Sequence, residues 1–167
     1  MAGGVLLLSL WMTGCEPTVM DSSTAQQTTG PREHVNLAYW QPTPKSVRVY
    51  PSTRFVKEAG NAVLEARFEL NDEMGDPIKA AGTFRVELYS VDESAGHTPV
   101  QILYEWEATV LTLEEQRLHY DPITRGYLFR LRVENLKAAR QPTLLRVTFI
   151  PASGGRLESE ALIRPEW

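Results

Sequence analysis

Four stretches of this chain alternate apolar and polar residues with a period of two, and that pattern restricts the fold more than any other feature. In "VLEARFEL" (63–70), Leu64, Ala66, Phe68 and Leu70 share one face, while Glu65, Arg67 and Glu69 share the other. "TFRVELY" (83–89) sets Phe84, Val86 and Leu88 opposite Arg85 and Glu87. "YLFRLRVE" (127–134) sets Tyr127, Phe129, Leu131 and Val133 opposite Arg130, Arg132 and Glu134, and "LLRVTF" (144–149) repeats the pattern with Leu145, Val147 and Phe149. Successive strand side chains point to opposite faces, so this periodicity predicts antiparallel strands with one buried and one wet face. Weaker strands fit 46–50, 101–110 and 156–164, bringing the expected number to about seven.

The intervals carry turn chemistry. "NDEMGDP" (71–77), "DESAGHTP" (92–99), "DPITRG" (121–126) and "PASGG" (151–155) are rich in Gly, Pro, Asp and Ser. "TLEEQRL" (112–118) is the exception, where Thr112 and Glu115 fit a capping box around a short helical turn. Short antiparallel strands joined by such turns predict an all-β fold, a β-sandwich over 46–167. Within it, Trp106 is expected to be a buried indole on a middle strand. Tyr127, two residues before Phe129, resembles the tyrosine corner of immunoglobulin domains. "ELNDEMGDPIKAAGTFRVELY" (69–89) resembles bacterial Ig-like and carboxypeptidase-regulatory-like domains, which implies an Ig-like, non-catalytic module.

The chain opens differently. "VLLLSLWMTGC" (5–15) is apolar but for Ser9 up to Met12, too short for a bilayer core needing about 20 apolar residues. It fits the hydrophobic region of a secretory leader, which runs about 7–15 residues. "MTGC" (12–15) resembles a bacterial lipobox, with Met12 where Leu is usual. The resemblance implies cleavage after Gly14, so that residues 1–14 are a signal peptide, and lipidation of Cys15. Each buried CH₂ contributes about 0.8 kcal/mol, so two or three acyl chains would hold the protein at the membrane. Glu16, rather than Asp, follows the cysteine, which by the same analogy favours the outer membrane over the inner. Residues 15–45 then form a flexible tether, poor in periodic hydrophobicity and rich in Ser, Thr, Gln and Pro. Tyr39 and Trp40 are expected where that tether meets the sandwich.

With 167 residues, 43% of them hydrophobic, the chain has room for one packed domain plus appendages. Its net charge of -4 repels phosphate backbones and speaks against a nucleic-acid partner. A single cysteine allows no internal disulfide, so packing must hold the fold.

Candidate chemistry is sparse. There is no nucleophile elbow and no phosphate-cradling glycine loop, and Ser22 and Ser23 fall in the tether. His34, His97 and His119 lack a second histidine at zinc-ligand spacing. His119, Tyr120 and Asp121 form the nearest approach to a reactive cluster, the basis of a lipid-anchored hydrolase reading. Asp72, Glu73 and Asp76 are too close in one loop to flank a sugar ring, but could supply oxygen ligands to calcium. Arg67, Arg85, Arg130, Arg132 and Arg146 are expected to pair across strands with Glu65, Glu69, Glu87 and Glu134. The leading expectation is a non-enzymatic, lipid-anchored cell-envelope protein without cofactor, binding an envelope protein or glycan. A calcium-dependent adhesion module and a hydrolase are the alternatives.

Overall fold

The computed structural model describes residues 41–134 and 138–165, all within one compact unit. The leader, Cys15, His34, Tyr39, Trp40 and most of the expected tether lie outside the described residues. Among those described, no helix is long and apolar enough to cross a membrane.

Two antiparallel sheets pack face to face. The first contains β1 (Ser46–Val49), β2 (Arg54–Glu58), β3 (Asn61–Asn71), β4 (Pro77–Ile78), β7 (Tyr120–Asp121) and β8 (Gly126–Val133). β1 and β2 lie along one side of β3, and β8, followed by β7, lies along the other. The second sheet runs in the order β10 (Leu157–Ile163), β9 (Thr143–Pro151), β5 (Gly82–Asp92), β6 (Thr98–Thr109). Each of the expected strands is present, and the fold is an all-β sandwich. β2, β4 and β7 are additions.

The alternating residues meet in the core. Leu64, Ala66, Phe68 and Leu70 from β3, Phe84, Val86 and Leu88 from β5, and Leu145, Val147 and Phe149 from β9 are essentially inaccessible to solvent. Phe84 is the hub, with ring centroids 4.6 Å from Phe149, 5.0 Å from Tyr127, 5.2 Å from Phe129 and 5.7 Å from Phe68. Burying each such ring contributes roughly 1.5–3 kcal/mol, against about 0–1 kcal/mol for an exposed ion pair. Packing therefore outweighs the surface charge pattern. Gly82 makes room for this cluster, since a Cβ there would stand 2.5 Å from the Phe149 ring and from the Ile150 carbonyl.

Trp106 corrects the sequence-based expectation. It lies on β6, the edge of the four-stranded sheet, and is half-buried, stacked on Tyr104 at 5.3 Å. The central aromatic role belongs to Phe84.

The expected helical turn is α1 (Leu113–His119), capped as its sequence requires. The Thr112 hydroxyl accepts from the Glu115 amide, and the Glu115 carboxylate accepts from the Leu111 and Thr112 amides and the Thr109 hydroxyl. The Thr109 hydroxyl, then the Thr112 amide, hold the Glu115 carboxyl down at about 2. A second lock ties α1 to the sheets. The Ala80 amide donates to the Tyr127 hydroxyl (3.1 Å), which donates to Gln116 Oε1 (2.8 Å), while Gln116 Nε2 donates back to the Ala80 carbonyl (2.9 Å).

Tyr127→Phe leaves the part-buried Ala80 amide and Gln116 Oε1 short of a partner, and should cost about 0.5–1.5 kcal/mol in denaturant unfolding. Combined with Gln116→Ala, the loss should be smaller than the sum of the two. The capping carboxylate supplies an acid-side test. A depressed carboxyl stabilises the fold above its unfolded value of 4.5, and that support fades as pH falls through about 2. Melting curves from neutral to acidic pH should show Glu115→Gln less stable at neutrality and converging with the wild type at the acid end.

Candidate functional site

The outward side chains of β3 build the most organised polar surface among the described residues. Glu69 belongs to the wet face by alternation, yet it is only 6% exposed. Its Oε1 accepts from Arg48 (2.8 Å) on β1 and from Asn71 (3.0 Å), and its Oε2 accepts from the Tyr50 hydroxyl. Tyr50 follows β1 directly and leans across β3 to the β7–β8 turn. Its hydroxyl there lies 2.6 Å from the Thr124 carbonyl. A Cβ at Gly126 would come within 2.7 Å of the Tyr50 ring and of the Phe68 carbonyl, so glycine permits this crossing.

Electrostatics follow from that geometry. Burial pushes the Glu69 carboxyl up, but hydrogen bonds from Tyr50 and Asn71 and the Arg48 charge outweigh it, and the net direction is down. Burial, then the neighbouring Glu69, pushes the Tyr50 phenol up to about 12. Arg48 also sits over the Tyr50 ring at 5.2 Å.

Asp121 joins the same face. Its carboxylate accepts from the Ile123 amide and the Thr124 hydroxyl (both 2.9 Å) and faces Arg67 at 3.5 Å. The Ile123 amide and the Thr124 hydroxyl hold its carboxyl below the usual range. His119 turns elsewhere, its ring packing on Phe129 at 4.6 Å, and Tyr120 packs edge-on against Tyr127. No hydrogen bond joins His119 to Asp121 among the described residues. The trio predicted from sequence lines one shallow depression but is not hydrogen-bonded together: Asp121 serves the turn and Arg67, and its two neighbours pack on core aromatics.

The acidic loop is organised around its own backbone. Asp72 Oδ1 accepts from the Met74 (2.9 Å) and Asp76 (3.0 Å) amides, while Glu73 and Asp76 are exposed. Among the described residues no three His, Cys, Asp or Glu converge as a metal site. Of the five arginines, Arg67, Arg85, Arg130 and Arg146 form ion pairs, with Glu65 the one expected partner among them, and Arg132 enters none among the described residues. Arg130 reaches Glu58 (2.5 Å) and Glu65 (3.8 Å), Arg85 reaches Glu105 (3.4 Å) and Glu107 (3.7 Å), and Arg146 reaches Glu160 (2.6 Å).

Beside this face lies a shallow depression lined by Leu118, His119, Tyr120, Asp121, Leu128 and Arg130. Leu118 on its wall is 75% exposed, and elsewhere along the same stretch of chain Leu113 is 66% and Ile123 90% exposed. The carboxylates already hold their donors, so the surface offers fixed contacts, a guanidinium at Arg48 and apolar side chains around α1. Arg48, Tyr50 and Asn71 were not singled out from sequence. The available signal was Pro51, which ends β1 and leaves Tyr50 free to cross.

A phenol raised to about 12 stabilises the fold fully below its unfolded value of 10.0, and that support is lost as pH rises from there through about 12. An alkaline titration followed by tyrosinate absorbance should show a phenol ionising near that upper value, absent in Tyr50→Phe. The same variant should lose less stability on the alkaline limb than the wild type. No family model, no curated protein and no solved structure matches the chain.

Proposed function

We propose that this chain is a lipid-anchored protein of the bacterial cell envelope, its sandwich serving as a non-enzymatic binding or scaffolding module. The observation that carries the reading is the segment from α1 to the β7–β8 turn. A surface helix ordinarily buries an apolar stripe. α1 buries no residue, and Leu113 and Leu118 on it, with Leu111 and Ile123 beside it, face water. These four exposed apolar side chains fall within residues 111–123, a density that supports a partner surface along this segment. The capping box and the Gln116–Tyr127 lock hold the segment in place, which lowers the ordering cost of contact. An envelope protein suits such exposed apolar side chains better than a glycan does.

The anchor rests on the lipobox resemblance at Cys15, with residues 16–45 as tether and the outer membrane favoured by Glu16. The non-catalytic reading draws support from Asp72, Asp121 and Glu69, whose carboxylates serve turns and cross-strand pairs. The Ig-like reading draws on the two antiparallel sheets and the buried Tyr127. Its hydroxyl bonds Ala80, 47 positions upstream, rather than its own corner.

Intact mass of the membrane-extracted protein should give a chain beginning at an acylated Cys15. Crosslinking in whole envelopes should capture a defined protein partner that Leu118→Asp combined with Ile123→Asp no longer captures. A freely soluble chain with an unmodified thiol would contradict the anchor. Hydrolytic turnover abolished by His119→Ala with Asp121→Ala, at unchanged melting temperature, would contradict the non-enzymatic assignment.

A further inference from the structure

β8 is paired unequally along its two edges. One edge carries β3 over residues 127–133 in unbroken register, whereas the other carries β7 at Gly126 and Tyr127 alone. Among the described residues no strand pairs with residues 128–133 on that second side. Upstream of Tyr120 the chain coils into α1 instead of continuing the ladder. The depression lined by Leu118 and His119 on one side and by Leu128 and Arg130 on the other opens there, with a volume of about 360 Å³.

Six extended residues span about 20 Å, the length of an ordinary strand. An edge of that length is a template for another strand unless it is blunted. β6 is blunted by two register shifts and Pro99, but β8 keeps a single register against β3 and contains no proline. Its outer face carries charge instead. Arg130 and Arg132 are exposed; Arg130 is held by Glu58 and Glu65, and Arg132 enters no ion pair among the described residues.

That charge selects the incoming strand. Residues opposite one another across a ladder share a face, and like charges placed there are destabilising. A second copy's β8 would set arginine against arginine, which disfavours self-pairing. A strand with carboxylates opposite Arg130 and Arg132 is favoured. On the inner face Phe129 and Leu131 are buried, so the positions opposite them call for apolar residues.

We propose that the free edge of β8 captures an extended segment of a partner protein by strand addition, and that this segment alternates apolar and acidic residues. The proposal rests on the binding-module reading and gives that module's partner a chemistry and a mode of contact. Backbone ladder bonds hold the segment, and the two arginines choose it.

The test is hydrogen exchange and chemical-shift titration of the full chain with a blocked heptapeptide alternating valine and glutamate. A peptide with lysine in place of glutamate is the charge control. Two N-methylated versions, one at the valine amides and one at the glutamate amides, keep every side chain. A strand on an edge points only one of these sets at β8, so one version should lose binding and the other keep it. In the free protein the amides of residues 128–133 that point away from β3 should exchange quickly, and the glutamate peptide should protect them. Arg132→Glu should weaken that peptide roughly tenfold and strengthen the lysine peptide. Arg132 is exposed, so this variant should keep the wild-type melting temperature. Amides already protected in the free chain would mean that a segment of the chain itself covers the edge, and would overturn the proposal. Equal binding of both N-methylated versions, or no charge reversal in Arg132→Glu, would overturn it too. An envelope protein captured by crosslinking while the β8 amides stay unprotected would sink strand addition and leave the binding-module reading standing.

Discussion

The position of one phenylalanine ring organises this molecule. Phe84 leaves β5 in the four-stranded sheet and meets Phe68 and Phe129 of the six-stranded sheet as well as Phe149 beside it. The two sheets thereby share one aromatic centre rather than facing across a layer of separate contacts. Everything that must approach that centre is small or already committed. Gly82 clears space for Phe149, and Tyr127 brings its ring into the cluster while its hydroxyl ties Ala80 to α1. The surface that the sandwich presents is thus positioned from within the core.

Much of the fold was legible because burial on one face imposes a period of two. The β3, β5, β8 and β9 segments announced their inward residues directly. β2 escaped because only Phe55 within it is buried, so it shows no repeated alternation. Its hairpin to β3 turns through Ala59 and Gly60, both at positive φ, without the Asn-Gly or Asp-Gly pair that usually signals such a turn. β4 and β7 are two residues long and exist only because β3 and β8 offer them ladder partners. Trp106 was misplaced for a different reason. Strand order across a sheet is a long-range property, and nothing local in "ILYEWEA" says that β6 has a neighbour on one side alone.

The site divides along the same line. The α1 capping box involves residues three apart and could be read outright. The Asp72 and Asp121 turns were visible as turn formers, but not as the owners of particular amides. Glu69 was assigned to the wet face, and its Cβ does point that way. What covers it is Tyr50, arriving from another strand, admitted by Gly126, and held by Arg48 and Asn71. Only the assembled sheet brings those residues together. Edge protection shows a similar mixture: β6 is twelve residues long and exposed, but two register shifts, Pro99, Glu105 and Glu107 blunt it against strand addition.

If the sheets are truly joined through one centre, they must open together. Native-state hydrogen exchange as a function of denaturant tests this most directly, because it resolves the opening free energy of each strand. The account predicts that the most protected amides of β3, β5, β8 and β9 converge on a single opening free energy equal to that of global unfolding. Two separate plateaus, with the four-stranded sheet opening while the six-stranded sheet stays protected, would contradict it.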